Sequence, residues 1–161
     1  MRRTVINAII LFVLDAIVLN QGVIALITLF IALPIMIIKA LLRWKDKPLL
    51  KKRFIACGVY LIMAIFILAS ITINNKIAWG RAEILIEACN NYKNKNNIYP
   101  KKLSDLVPEF INKIPVAKYT IISSKFSYLA SEESHMLFYM AMPPFGRPTY
   151  SFERQEWTYL D

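Results

Sequence analysis

"CNNYKNKNNIYPKKLSDLVPEFINKIP", residues 89–115, separates two kinds of hydrophobic pattern. Running into it, apolar residues at 78, 82, 85, 89 and 92 advance by four and three, the spacing that draws one stripe along a helix. After it, from Lys118, the period falls to two in "KYTIISSKFSYLAS", "HMLFYMAM", "PTYSFE" and "EWTYL", short runs rich in aromatic and β-branched residues. Within the stretch, the polar run 90–97 ends the helix, because asparagine favours caps and turns over helix interiors. Tyr99 is held extended by Pro100, since proline disfavours helix in the residue before it. "KKLSDLVPEF" reads as a helical turn anchored by Leu103, Leu106 and Val107, and Pro108 and Pro115 then punctuate the chain. The expectation for residues 74–161 is α+β: one amphipathic helix across a face of three or four antiparallel strands. Turns are expected at 132–134, in a longer loop at 143–148 ("PPFGRP") and at Arg154 and Gln155.

Upstream the chain is nearly all hydrocarbon. Three apolar runs, about residues 5–20, 22–42 and 54–74, approach or meet the roughly 20 residues a spanning helix needs. The expectation is three transmembrane helices. The first run is short and holds Asn7 and Asp15. Only Asn20 and Gln21 separate it from the second, enough for a tight helical hairpin. Pro34 in the second run is tolerable where neighbouring helices absorb a kink. "MRRTVINAIILFVL" also has the basic start and apolar core of a signal peptide. No small-residue cleavage site follows it, and the sequence runs directly into more apolar residues, so an uncleaved helix is the reading.

The formal net charge is +9. Up to residue 73 there are nine Lys and Arg against two acids; beyond it there are eleven against nine. The basic excess therefore sits in Arg2, Arg3 and "KALLRWKDKPLLKKR", where cytoplasmic flanks of membrane helices concentrate positive charge. That distribution argues for topology and against nucleic-acid binding. It places the N-terminus and the basic loop 43–53 in the cytoplasm, the 20–21 hairpin outside, and residues 74–161 outside, in the periplasm of a Gram-negative cell. The lipid bilayer of the inner membrane is the first expected partner.

A membrane helix that runs into an amphipathic helix, then "YP..L..LVP.....IP", then a small antiparallel sheet, resembles the type IV pilins and type II secretion pseudopilins. The resemblance spans Arg81 to Asp161 and is carried by Tyr99, Pro100, Leu103, Leu106, Val107, Pro108, Ile114 and Pro115. It implies a pilin-like fold for the outer domain. The processing signals of a pilin are absent: "KKRFIACGVYLIMAIF" has no glycine before Phe54 and no acid in the run, and two apolar runs precede it. The chain is thus read as a pilin-like domain on a three-helix anchor, not as a processed filament subunit.

Chemistry is sparse in the sequence. His135 is the single histidine and belongs to a strand; with Cys89 it falls short of the three or four nitrogen and sulfur ligands of a zinc site. No G-x-S-x-G elbow or glycine-rich phosphate loop is present, and the chain has four glycines in all. Glu132 with Glu133 reads as a solvated turn, and Glu83 with Glu87 as an exposed helix face. Cys57 and Cys89 fall in different regions, and Cys89 on the apolar stripe reads as a small buried hydrophobe. No catalytic, metal or cofactor site is expected. Two sites remain as candidates. One is an exposed aromatic patch of Phe145, Arg147, Tyr150 and Trp157, residue types that anchor interfaces. The other is Asp15, because an acid inside a membrane is costly and raises the question of function. The leading expectation is a non-enzymatic protein that binds another protein, an accessory of pilus or secretion assembly. Alternatives are an immunity protein against a delivered toxin, and a small transport or channel component working through Asp15.

Overall fold

A computed structural model describes residues 1–141 and 146–160, which divide into two compact units. The first comprises residues 1–72 with 120–122, the second 73–119 with 123–161.

Helix α1 (Arg2–Phe12) continues through a π-helical segment, Val13–Leu19, and stops at Asn20, whose backbone is left-handed (φ 53°). Gly22, at φ 74°, turns the chain back, a conformation that costs a glycine nothing. Helix α2 (Val23–Ile27), a second π-helical segment (Thr28–Ala32) and α3 (Leu33–Leu41) then form one rod, with Pro34 in the first turn of α3. Asp46 starts the longest element, α4 (Lys47–Asn96), its Oδ1 accepting from the Leu49 N–H at 3.0 Å as an N-cap does. Two of these rods, Val23–Leu41 and Lys47–Asn96, are long and apolar enough to cross a membrane. In the first unit Ala8, Ala16, Ala25 and Ala64 are buried with Met63, Ile67 and Ile71. Small residues at such contacts let helix backbones approach closely, the packing that substitutes for hydrophobic drive in lipid. The basic loop expected at 43–53 is shorter than its charges imply: α4 begins at Lys47, and Lys51, Lys52 and Arg53 occupy its first turns.

In the second unit α4 buries the expected stripe. Ala78, Ala82, Leu85 and Cys89 are fully buried and Tyr92 lies half-buried beside them. Gly80 sits within the helix without ending it. Asn97 terminates it at φ 61°. A 3₁₀ turn, Leu103–Leu106, follows; its Asp105 carboxylate accepts from the Lys102 N–H at 3.1 Å. Leu103 and Leu106 are buried, but Val107 is exposed and anchors nothing, because the chain turns extended there ahead of Pro108.

Four strands make one antiparallel sheet in chain order: β1 (Ser127–Ala130), β2 (His135–Phe138), β3 (Arg147–Ser151) and β4 (Glu156–Leu160). The strand expected from Lys118 is pared to β1. Residues 117–124 form a loop, closed where the Ala117 and Lys118 N–H groups donate to the Ser124 carbonyl. The β1–β2 turn is Glu132 and Glu133, closed by Ser131 and Ser134. Register aligns Tyr128, Leu137, Tyr150 and Trp157 across the sheet. That row faces α4: Leu137 is fully buried, and Trp157 stacks on Trp79 with ring centroids 4.3 Å apart.

Candidate partner-binding surface

A pleated sheet presents alternate residues to opposite faces, so the face away from α4 is fixed by register. It holds Ser127, Phe138, Thr149 and Thr158 in one row and Leu129, Met136, Ser151 and Glu156 in the next, with Arg147 opposite Leu160 at one end. Leu129 is 59% exposed and Leu160 50%. Met136 and Phe138 are half-buried and lie outside the core cluster. Thr149 and Ser151, on the central strand β3, are buried, so the exposed part of this face is its margins. An antiparallel sheet with one solvated side ordinarily turns polar residues outward. Here four apolar side chains interrupt that pattern beside an exposed arginine.

The candidate residues distribute unevenly on this frame. Phe145 lies outside the described residues. Arg147 is exposed on the outer face. Tyr150 and Trp157 belong to the opposite, helix-facing row: both are half-buried against the core, their rings 5.4 Å apart, with Trp157 on Trp79 and Tyr150 on Phe152. Phe138 and Met136 are outer-face residues that the sequence did not single out. Their neighbours Leu137 and Tyr139 are equally apolar, so alternation within "HMLFYMAM" does not say which side is the core.

At the far edge of the same unit a cleft of about 610 Å³ opens between the end of α4 (Lys93), the connector (Ile98, Tyr99, Lys101), the β1–β2 turn and His135. His135 Nδ1 lies 2.8 Å from Glu153 Oε1, and the Glu153 carboxylate also accepts from the His135 backbone N–H. Partial burial pushes the Glu153 carboxyl up, but the hydrogen bonds from His135 outweigh it and hold the group below its ordinary value. The two residues are 18 apart in sequence, and only the β2–β3 register brings them together. Among the described residues no three His, Cys, Asp or Glu side chains converge as metal ligands.

Tyr99, from the connector, is buried; its hydroxyl donates to the Phe152 carbonyl at 3.2 Å, and Lys93 lies over its ring. The Tyr128 hydroxyl donates to the Pro100 carbonyl at 2.9 Å. These two bonds tie the connector to β1 and to the end of β3. Lys118, nearly fully buried, donates its ammonium to the Ala141 carbonyl, and burial lowers its pKa to about 8.

Asp15 is fully buried in the first unit. Its Oδ1 accepts from the Gln21 and Gly22 N–H groups at 3.2 and 2.7 Å, and its Oδ2 from those of Ile24 and Ala25 at 2.9 and 3.2 Å. Helix α2 begins with N–H groups that have no partner within the helix, and its positive end favours an anion. Asp15 supplies that anion from the preceding helix. The geometry is that of a cap holding the hairpin closed.

No protein-family model, curated protein or solved structure matches this chain.

Proposed function

We propose that the chain is a non-enzymatic, multi-pass protein of the bacterial inner membrane whose outer, pilin-like α+β domain binds another protein, as an accessory of pilus or secretion assembly. The observation that carries the reading is the apolar margin of the outer face of the sheet, where Leu129 and Leu160 are exposed. Met136 and Phe138 are half-exposed on the side away from α4, and exposed Leu160 pairs with Arg147 at one end of it. Apolar side chains next to an arginine are the composition of protein–protein anchors. Supporting it are the two helices long enough to span a membrane, the basic residues that flank them, and the "YP..L..LVP" connector.

The test is genetic and structural together. A photo-crosslinking residue at 138 or 160 is expected to capture one pilus or secretion component, with Arg147→Glu abolishing both the adduct and assembly while the protein level stays normal. Normal piliation and secretion in a deletion strain, with no such adduct, would remove the assembly role. Protection of the deletion strain from a delivered toxin on re-expression would transfer the reading to immunity.

A further inference from the structure

We propose that two copies of this chain pair through the free edge of β1, antiparallel about Leu129, to join their sheets into one of eight strands. The argument starts from which main-chain groups of β1 are already used. Ser131 donates its N–H to the Ser134 carbonyl at 2.9 Å, which closes the β1–β2 turn with a hydrogen-bonded pair. Hydrogen-bonded and non-bonded pairs alternate along an antiparallel ladder. Leu129 with Met136 and Ser127 with Phe138 are therefore the bonded pairs to β2. The N–H and C=O groups of Phe126, Tyr128 and Ala130 then point to the other side. No other main-chain segment among the described residues bonds to that side of β1.

Natural edges are blunted by proline, lysine or a bulge. From residue 126 to 131, "FSYLAS", β1 has none of these, and Leu129 stands 59% exposed on the outer face. Charge decides the occupant. Lys125 precedes the strand; Glu132 and Glu133 follow it. Antiparallel pairing of two copies sets the basic end of each strand against the acidic end of the other. With the two-fold axis at Leu129, Tyr128 of each copy exchanges two hydrogen bonds with Ala130 of the other, four in all. Lys125 of each copy then lies next to the Glu132–Glu133 turn of the other, and the two Leu129 side chains meet as the central pair. Shifting the axis to Tyr128 instead puts Lys125 opposite Ser131, short of the acidic turn, and Leu129 opposite Ser127, which loses the central pair. The other edge, β4, lacks the pattern, since Arg154 and Glu156 are already paired to each other at 3.3 Å. Such a contact is isologous and closes on itself, so it gives a dimer and not a fibre.

The pairing goes beyond the partner proposed above: it doubles the exposed apolar margin of the outer face but does not require that anything occupy it. Central non-bonded pairs in an antiparallel ladder have Cα atoms about 4.5 Å apart, within disulfide reach. Full-length Leu129→Cys, oxidised in native membranes, is expected to run mainly as a covalent homodimer. Ser127→Cys and Tyr159→Cys are expected to stay monomeric, and Cys57 and Cys89 are buried and contribute no background. Ala130→Pro removes one outward N–H without touching the β1–β2 ladder, so it is expected to abolish the Leu129→Cys crosslink. Lys125→Glu is expected to reduce that crosslink at least fivefold, and Lys125→Glu with Glu133→Lys to restore it. A monomeric Leu129→Cys chain, or one crosslinked only to a different protein, overturns the proposal. So does a crosslink indifferent to both Lys125→Glu and Ala130→Pro.

Discussion

Among the described residues each unit buries one Asp, Glu, Lys or Arg side chain almost completely, and the two are accommodated in different ways. Asp15 is a carboxylate with four backbone N–H donors, all supplied by the turn and first residues of the next helix. Lys118 is nearly fully buried, donates its ammonium to the Ala141 carbonyl, and has its pKa lowered by burial to about 8. The difference follows from what each architecture leaves unsatisfied. Helices expose their first N–H groups, and an apolar surrounding offers no water to satisfy them, so an acid placed there stabilises. A sheet satisfies its own backbone across the ladder and leaves only edges. A lysine buried beside such a core loses its hydration, which disfavours its charged form.

Removing the acid is the largest test of that contrast. Asp15→Ala leaves four donors in apolar surroundings at about 1–3 kcal/mol each. We expect at least about 4 kcal/mol of destabilisation, read as thermal unfolding of the full chain in detergent, with Asp15→Asn intermediate because one acceptor oxygen remains. A melting temperature unchanged in Asp15→Ala would break the capping account and return Asp15 to the transport reading.

Lys118 predicts an effect of the opposite kind. Its folded pKa of about 8 lies below the ordinary 10.5, so between those values the unfolded chain holds a proton that the folded chain has released. Stability is therefore expected to rise from pH 8 towards 10, by about 2 kcal/mol at 1.36 kcal/mol per pKa unit. Above pH 10 the trend reverses, because burial raises Tyr128 and Tyr139, and an unfolded chain ionises those phenols first. Lys118→Met is expected to flatten the rise; denaturant titrations at pH 7, 8.5 and 10 decide it. A rise that persists in Lys118→Met would place its origin elsewhere.

The smallest effect belongs to His135 and Glu153. The Glu153 pKa is depressed, so its contribution is present above the unfolded value near 4.5 and lost as pH falls through the folded one. Because the carboxylate is more than a third exposed, Glu153→Gln is expected to cost only a few tenths of a kcal/mol at pH 7. Titration of stability between pH 5 and 3 should show the wild-type advantage disappearing. A variant as stable as wild type at every pH would mark the pair as incidental.

Much of the second unit was legible in the stretch at residues 89–115 because it rests on local rules. The four-three stripe on α4, the stop at its asparagine-rich end, and the turns at 132–134 and 154–155 each follow from a few neighbouring residues, whereas the loop expected at 143–148 gives way to β3 at Arg147, and residues 142–145 lie outside the described residues. What escaped depends on contacts distant in sequence. Tyr150 and Trp157 looked like surface anchors, yet strand register turns them toward α4, and Trp79 is what Trp157 stacks upon. Phe138 and Tyr139 are adjacent and equally apolar, and only pairing decides which is buried. Asp15 is visible as an anomaly in the sequence, but its donors become known only when the hairpin geometry is. Val107 shares its spacing with buried leucines, and a change to extended backbone turns it outward.

The central proposal is that residues 74–161 lie on the far side of the membrane from the basic residues at 43–53. Site-specific labelling with a membrane-impermeant maleimide tests it most directly, since both native cysteines are buried. Leu160→Cys should label in intact spheroplasts, and Lys45→Cys only after lysis. Labelling of Lys45→Cys in intact spheroplasts with Leu160→Cys protected would contradict the orientation and, with it, the proposed periplasmic partner.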